Sequence, residues 1–155
     1  MSAPAALAKT TLMPTLTRAV RLFAAALWWG SLTTVCFVIA PLLFVHLPTP
    51  AVAGNLAAKL FTAQTWVSNA CALLLLWGLR FDTAPGYLGK ARSAMLFIVL
   101  GLLLGLLVEF GVSPRILTRE HLKLWHGVGV SLYALQWCCA AVVLWMTALR
   151  SERVS

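Results

Sequence analysis

Residues 94–110 read AMLFIVLGLLLGLLVEF, an apolar run in which Glu109 is the one charged side chain. A hydrocarbon core of ~30 Å requires roughly 20 helical residues at 1.5 Å each, so this run predicts a membrane-crossing helix. The sequence predicts four such spans in all: Leu22–Phe44, Leu60–Leu79, Ala94–Phe110 and Leu124–Leu149. The fold class that follows is an all-α integral membrane four-helix bundle.

The composition agrees with this class, because 61% of the 155 residues are hydrophobic and only 10% are charged. Residues 18–150 are predicted to form a single four-span domain, and residues 1–17 a mobile cytoplasmic tail. The connections between spans are short, and the second turns at Pro85-Gly86. Short connections favour antiparallel neighbours, so we expect an up-down-up-down bundle.

The net charge of +8 is distributed by span end rather than in one patch. Eight of the twelve basic residues fall on the side that carries both termini: Lys9, Arg18, Arg21, Arg80, Lys90, Arg92, Arg150 and Arg153. The positive-inside rule therefore places both termini in the cytoplasm and the protein in the inner membrane. Because topology accounts for the charge, we expect the lipid bilayer and no nucleic acid as a partner.

Local signals predict where several helices begin, bend and end. Thr49 is a candidate N-cap with Pro50 at the first helical position, and Pro41 should kink the outer end of the first span. Gly111 is a candidate C-cap that opens the third loop, and Thr118 a candidate N-cap for the last helix.

The tryptophans divide by expected depth. An aromatic belt at the membrane interfaces explains Trp28, Trp29, Trp77, Trp125 and Trp145. Trp66 and Trp137 sit deeper in their spans, so we interpret them as core packing.

Gly101 and Gly105 form a G-x-x-x-G ridge that allows a neighbouring helix to approach closely. Glu109 follows four residues later on the same stripe. The ridge therefore predicts an interior face, with the carboxylate at the outer end of the bundle, within reach of Lys59 or His126.

Two polar patterns complete a candidate pocket near the outer leaflet. Asn55, Lys59, Thr62, Trp66 and Asn69 recur at helical spacing in the second span, and His126 shares an arc with Gly129, Tyr133 and Gln136. Ionisable groups within spans suggest function. The candidate polar pocket comprises Asn55, Lys59, Thr62, Asn69, Glu109, His126, Tyr133 and Gln136. Three interpretations stay open: interfacial residues bordering water, a structural interior cluster, or a ligand or proton site.

The sequence contains little that indicates catalysis or metal binding. No G-x-S-x-G, H-E-x-x-H or paired-carboxylate motif occurs, so we expect no enzymatic activity and no cofactor. The alternative is a small transporter or a metal or haem carrier that uses His46 and His126 from different helices. The cysteines Cys36, Cys71, Cys138 and Cys139 lack C-x-x-C pairing and are interpreted as apolar packing.

Several motifs resemble the transmembrane protein 205-like family, small four-span proteins whose bacterial members form a domain of unknown function. They are Gly30, the stretch FVIAPLLF at 37–44, Ala53-Gly54, Leu60-Phe61 and Trp125-His126-Gly127. The resemblance covers about residues 18–149. It implies a membrane bundle with no assigned enzymology, whose animal members are linked to drug and platinum resistance. Gly129 and Tyr133 stand where family members often have Ser and Asn.

The functional expectation is a non-catalytic module that binds a ligand, regulates a partner or assists transport. Another membrane protein or a second copy of the chain is a possible partner.

Overall fold

A computed structural model describes the backbone of residues 3–80, 88–118 and 121–152, and the side chains of 16–80, 91–118 and 121–149. Within these residues all regular structure is helical, as predicted. The helices are α1 (Ala3–Thr34), α2 (Ala40–His46), α3 (Pro50–Leu79), α4 (Leu88–Leu107), α5 (Ser113–Leu117) and α6 (Leu122–Glu152). Two π turns, Val35–Ile39 and Val108–Val112, join α1 to α2 and α4 to α5.

Among the described residues, four helical segments are long and apolar enough to cross a membrane: Leu16–His46, Pro50–Leu79, Ala91–Leu117 and Leu122–Leu149. We call them spans one to four, and they confirm the predicted number. They are longer than the predicted spans, because the helices continue past the apolar runs into polar residues. The turn predicted at Pro85-Gly86 lies outside the described residues.

The first helix begins at Ala3, so helical backbone covers most of the stretch predicted as a tail. The mobility and cytoplasmic location of that tail stay predictions. At the start of α3 the N-cap prediction is confirmed, since the Thr49 hydroxyl accepts a hydrogen bond from the Val52 N–H at 3.3 Å. Pro50 occupies the first helical position, where no N–H is needed.

Each span packs against the spans before and after it in the chain, and span one also packs against span four. Between spans one and two, Arg21 lies against Gly78 and Ser31 bonds to Gln64. Between spans three and four, the contacts are Gly105 with Gln136 and Val112 with Gly129. Residue numbers in these pairs rise along one span as they fall along the next.

Each π turn ends two residues before a proline, at Pro41 and Pro114. A proline inside a helix donates no hydrogen bond, and its ring clashes with the carbonyl four residues earlier. The wider turn bypasses that clash, with the Ala40 N–H bonding the Val35 carbonyl and the Ser113 N–H bonding that of Val108. The irregularity expected at Pro41 therefore takes the form of a π turn.

Two predictions about the third connection are wrong. Gly111 does not end the helix, because it lies within the second π turn and the helix continues to Leu117. Thr118 does not cap α6, which begins at Leu122. Its hydroxyl instead donates to the Arg115 carbonyl at 3.1 Å, at the end of α5. The π turn allows the chain to remain helical through Ser113-Pro114, which the sequence pattern suggested to be a loop.

Two tryptophans, Trp28 and Trp66, differ from prediction in their burial. Trp28 is fully buried rather than part of an aromatic belt, because its ring fills the space beside Gly101. Trp66 is 60% exposed, since it projects from the face of α3 that points away from the bundle. Trp137 packs against the core as expected and donates through Nε1 to the Thr33 hydroxyl at 2.8 Å.

Substitutions in the glycine ridge should differ in how much they destabilise the bundle. A Cβ on Gly101 would lie 2.8 Å from the rigid, buried Trp28 ring, whereas one on Gly105 would meet the movable amide of Gln136 at 2.8 Å. We expect Gly101→Ala to lower the free energy of unfolding by about 1–3 kcal/mol, and Gly105→Ala by less. Gly30→Ala is the control, because nothing lies within 4 Å of its Cβ position. Thermal unfolding in detergent measures all three, and equal melting temperatures would contradict this packing.

Candidate functional site

A cavity of about 1050 Å³ opens at the end of the bundle that holds α2, α5 and the first residues of α3 and α6. Its volume is at the upper end of the ~300–1,000 Å³ typical of small-molecule sites. The lining residues are Phe44, Thr49, Pro50, Ala51, Gly54, Asn55, Ala57, Ala58, Phe61, Val108, Val112, Ser113, Ile116, Leu117, Leu122, Lys123, His126, Gly129, Val130 and Tyr133. Three spans contribute most of this surface, and span one contributes Phe44.

The cavity extends along α6 from Lys123 to Tyr133. These residues are ten positions apart, which corresponds to about 15 Å of helix. Tyr133 lies at the inner end, 6% exposed, with its ring edge-on to Phe61 at a centroid distance of 5.1 Å. The cavity therefore narrows onto two packed aromatic rings.

Apolar side chains form most of the cavity wall, and the polar lining residues lie mainly near its mouth. Lys123 and His126 are exposed and three residues apart on α6, so they share a face of the helix. Thr49 and Asn55 are on the opposite wall. Lys123 is the one lining residue that carries a full charge at neutral pH among the residues described, so the local charge is positive.

The border of the cavity is apolar and accessible. Phe44, Leu117, Leu122 and Val130 all line the cavity and are also exposed on the surface of the bundle. The segment of span one that follows the first π turn, α2, packs against α3, whereas α1 packs against both α3 and α6. An apolar ligand could thus enter from the side, out of the bilayer.

Glu109 lies outside this cavity. Both of its carboxylate oxygens accept from the Thr62 hydroxyl, at 2.9 and 3.1 Å, and this contact joins span three to span two. In the described part of the chain neither Lys59 nor His126 forms an ion pair with it, contrary to expectation. Each step of four residues advances ~40° around a helix, so Glu109 has rotated to the edge of the glycine ridge.

The structure separates the residues of the predicted polar pocket into three groups. Asn55, His126 and Tyr133 line the cavity. Thr62 and Glu109 form their own pair, and Lys59 is exposed at the surface of α3. Asn69 and Gln136 are buried deeper in the bundle. They therefore do not form one pocket, and the function predicted for them stays a prediction.

A polar layer at the centre of the bundle was missed by the sequence analysis. The buried Gln64 amide donates to Ser31 at 2.9 Å and to Ser68 at 3.2 Å, linking spans one and two. Gln64 and Ser68 are four residues apart within an apolar helix, which is a signal that could have revealed them. At the inner end of the cavity and one helical turn beyond it, Tyr133 Oη and Gln136 Nε2 are buried without a hydrogen-bond partner among the described residues.

The histidines do not meet at one place. His126 lines the cavity, whereas His46 lies outside the lining and its Nδ1 is 3.1 Å from the Leu42 carbonyl oxygen. Among the described residues, no three His, Cys, Asp or Glu side chains converge on a common point. All four cysteines are free.

The Thr62–Glu109 contact is testable by a double-mutant cycle. We expect Thr62→Val and Glu109→Met to be coupled by about 1 kcal/mol in unfolding free energy, since an intramolecular hydrogen bond contributes ~0.5–1.5 kcal/mol. The control cycle pairs Glu109→Met with Lys59→Met, where the structure shows no contact and additivity is expected. Coupling to Lys59 with additivity at Thr62 would reverse this assignment.

Comparison with known proteins gives one match. No curated protein and no solved structure matches the chain. A family model, described as the domain of unknown function DUF4149, matches residues 23–124. The match begins in span one, continues to the first residues of α6 and includes most of the cavity lining. The chain is a multi-pass membrane protein that belongs to the DUF4149 family.

Proposed function

We propose that the protein is a non-catalytic membrane module that binds a ligand from the bilayer in the cavity at the outer end of the bundle. The observation that carries this proposal is the cavity itself, about 1050 Å³ in volume and bordered by exposed apolar side chains. Apolar side chains form most of the lining, so the cavity suits an apolar ligand. Fixed polar groups at the mouth would orient it.

The proposal includes an orientation in the inner membrane with both termini in the cytoplasm. The eight-to-four division of basic residues supports it. The alternating direction of the interhelical contacts supports the up-down-up-down arrangement on which this orientation depends. The cavity then opens toward the outer leaflet. The resemblance to the transmembrane protein 205-like family agrees with a small four-span protein of this type.

A bound ligand would alter the cavity wall, which includes the exposed ends of spans one and three. A neighbouring membrane protein or a second copy of the chain would then bind the altered surface with a different affinity. Partner regulation and assistance to transport are therefore ways in which ligand binding would be used. The alternative haem or metal carrier has less support, since His46 and His126 do not face a common space.

Filling the cavity tests the proposal. Nothing lies within 4 Å of a Cβ on Gly54, which lines the cavity, or on Gly127, which does not. The Cβ of a leucine therefore meets no neighbour at either position, but only the side chain of Gly54→Leu would occupy ligand space. We expect Gly54→Leu to weaken ligand binding by about tenfold, or ~1.4 kcal/mol, and Gly127→Leu to leave it unchanged.

The measurement is native mass spectrometry of wild type and both variants, purified in mild detergent from the same membranes. Wild type and Gly127→Leu should retain one bound small molecule that Gly54→Leu largely lacks. Absence of a bound molecule from wild type, or equal retention by all three proteins, would refute the proposal.

A further inference from the structure

We infer that the ligand is an anionic lipid, with one acyl chain inside the cavity and its headgroup at Lys123. This inference rests on the proposed function and names the chemical class of the ligand. Three properties of the cavity support it: its depth, its lateral border and the charge at its mouth.

The depth of the cavity matches one leaflet. Lys123 and Tyr133 mark its two ends along α6, about 15 Å apart. The hydrocarbon core of a bilayer is ~30 Å thick, so one leaflet contributes about half of that. An acyl chain whose headgroup stays at the interface would therefore reach the aromatic rings of Tyr133 and Phe61. A water-soluble ligand has no need of an apolar channel of this length.

The lateral border gives a chain a route that keeps it out of water. Phe44 and Val130 both line the cavity and face outward, and they come from spans one and four. The first π turn separates α2 from α1 along the chain, and α2 packs against α3. A lipid beside the bundle could insert one chain between these segments while its second chain remains in the bilayer.

The charge at the mouth selects the headgroup. Lys123 is exposed at the start of span four, so its ammonium would lie near the headgroups of a bilayer that this span crosses. His126 follows three residues later on the same helix face. Thr49 and Asn55 offer hydrogen-bond donors on the opposite wall. In the described part of the lining no carboxylate competes for Lys123. A phosphate diester or another anionic headgroup is thus favoured over a zwitterionic one, whose own cation would face the ammonium.

The basic character extends beyond the lining. Arg115, on the neighbouring α5, holds its guanidinium over the Trp125 ring at 4.2 Å from the ring centroid. This contact fixes a second positive charge at the same end of the bundle. An anionic headgroup at Lys123 would lie in the field of both cations.

The experiment compares two lipids that have identical acyl chains, phosphatidylglycerol and phosphatidylcholine. Each is titrated into delipidated full-length protein in detergent, and the Kd is measured by native mass spectrometry. Wild type should bind phosphatidylglycerol with a Kd about fivefold lower, the preference expected from one basic side chain at the interface. Lys123→Gln should remove most of this preference without weakening the binding of phosphatidylcholine, and Arg115 should account for any remainder.

Lys59→Gln is the matched control, since it removes an exposed positive charge from α3 outside the cavity lining. The lipid preference should survive in this variant. Its loss there, to the same degree as in Lys123→Gln, would indicate unspecific surface attraction and overturn the inference.

Gly54→Leu separates the two proposals. If this variant binds both lipids more weakly than wild type does, while wild type binds the two lipids equally, cavity binding stands and the headgroup inference fails. If it weakens neither, the proposed function fails as well.

Discussion

Two prolines inside apolar helices, Pro41 and Pro114, impose the constraint on which the half of the bundle that holds the cavity depends. We call it the outer half, after the orientation proposed above. Within hydrocarbon no water is present to satisfy a freed backbone carbonyl, so each break in the helical ladder must be repaired internally. The chain repairs both with a π turn, whose i→i−5 bonds connect Ala40 to Val35 and Ser113 to Val108. The short helices that follow, α2 and α5, contribute to the cavity wall, through Phe44 on the first and Ser113, Ile116 and Leu117 on the second.

The inner half of the bundle shows the opposite behaviour. Gly101 and Gly105 bring α4 so close to its neighbours that an added methyl group would overlap Trp28 and Gln136. Hydrogen bonds from Gln64 and Trp137 connect span one to spans two and four in the same region. Close packing and interhelical hydrogen bonds are the two main sources of association between helices in lipid. A rigid inner half can therefore support an outer half that is open enough to admit a ligand.

Sequence patterns predicted the parts of this structure that depend on local chemistry. The four spans follow from apolar length, the Thr49 cap from a side chain beside its own helix, and the close approach at Gly101 from a missing Cβ. The errors at Gly111 and Thr118 have a single cause. The π turn carries the helix past Gly111 and into α5, so Thr118 lies at the end of α5 instead of at the start of α6.

Rotation around the helix axis was harder to predict. The polar stripe of α3 was expected to face inward, but Lys59 and Trp66 are exposed, while Gln64 and Ser68 face the core. A periodic pattern shows which residues share one face of a helix, but not which neighbouring helix that face contacts. For the same reason Glu109 was assigned to Lys59 or His126 although its contact is with Thr62. The cavity depends on the positions of four segments at once, which no single pattern in the sequence specifies.

In the lipid complex that we infer, one acyl chain enters the cavity and extends as far as Tyr133. Photo-crosslinking with phosphatidylglycerol that carries a diazirine near the chain terminus tests it most directly, because the crosslinked residue reports where the chain ends. We expect crosslinks to Phe61 and Tyr133 at the cavity floor, and their loss in Gly54→Leu. Crosslinks confined to outward-facing side chains such as Leu73 and Trp145, unchanged by Gly54→Leu, would contradict it.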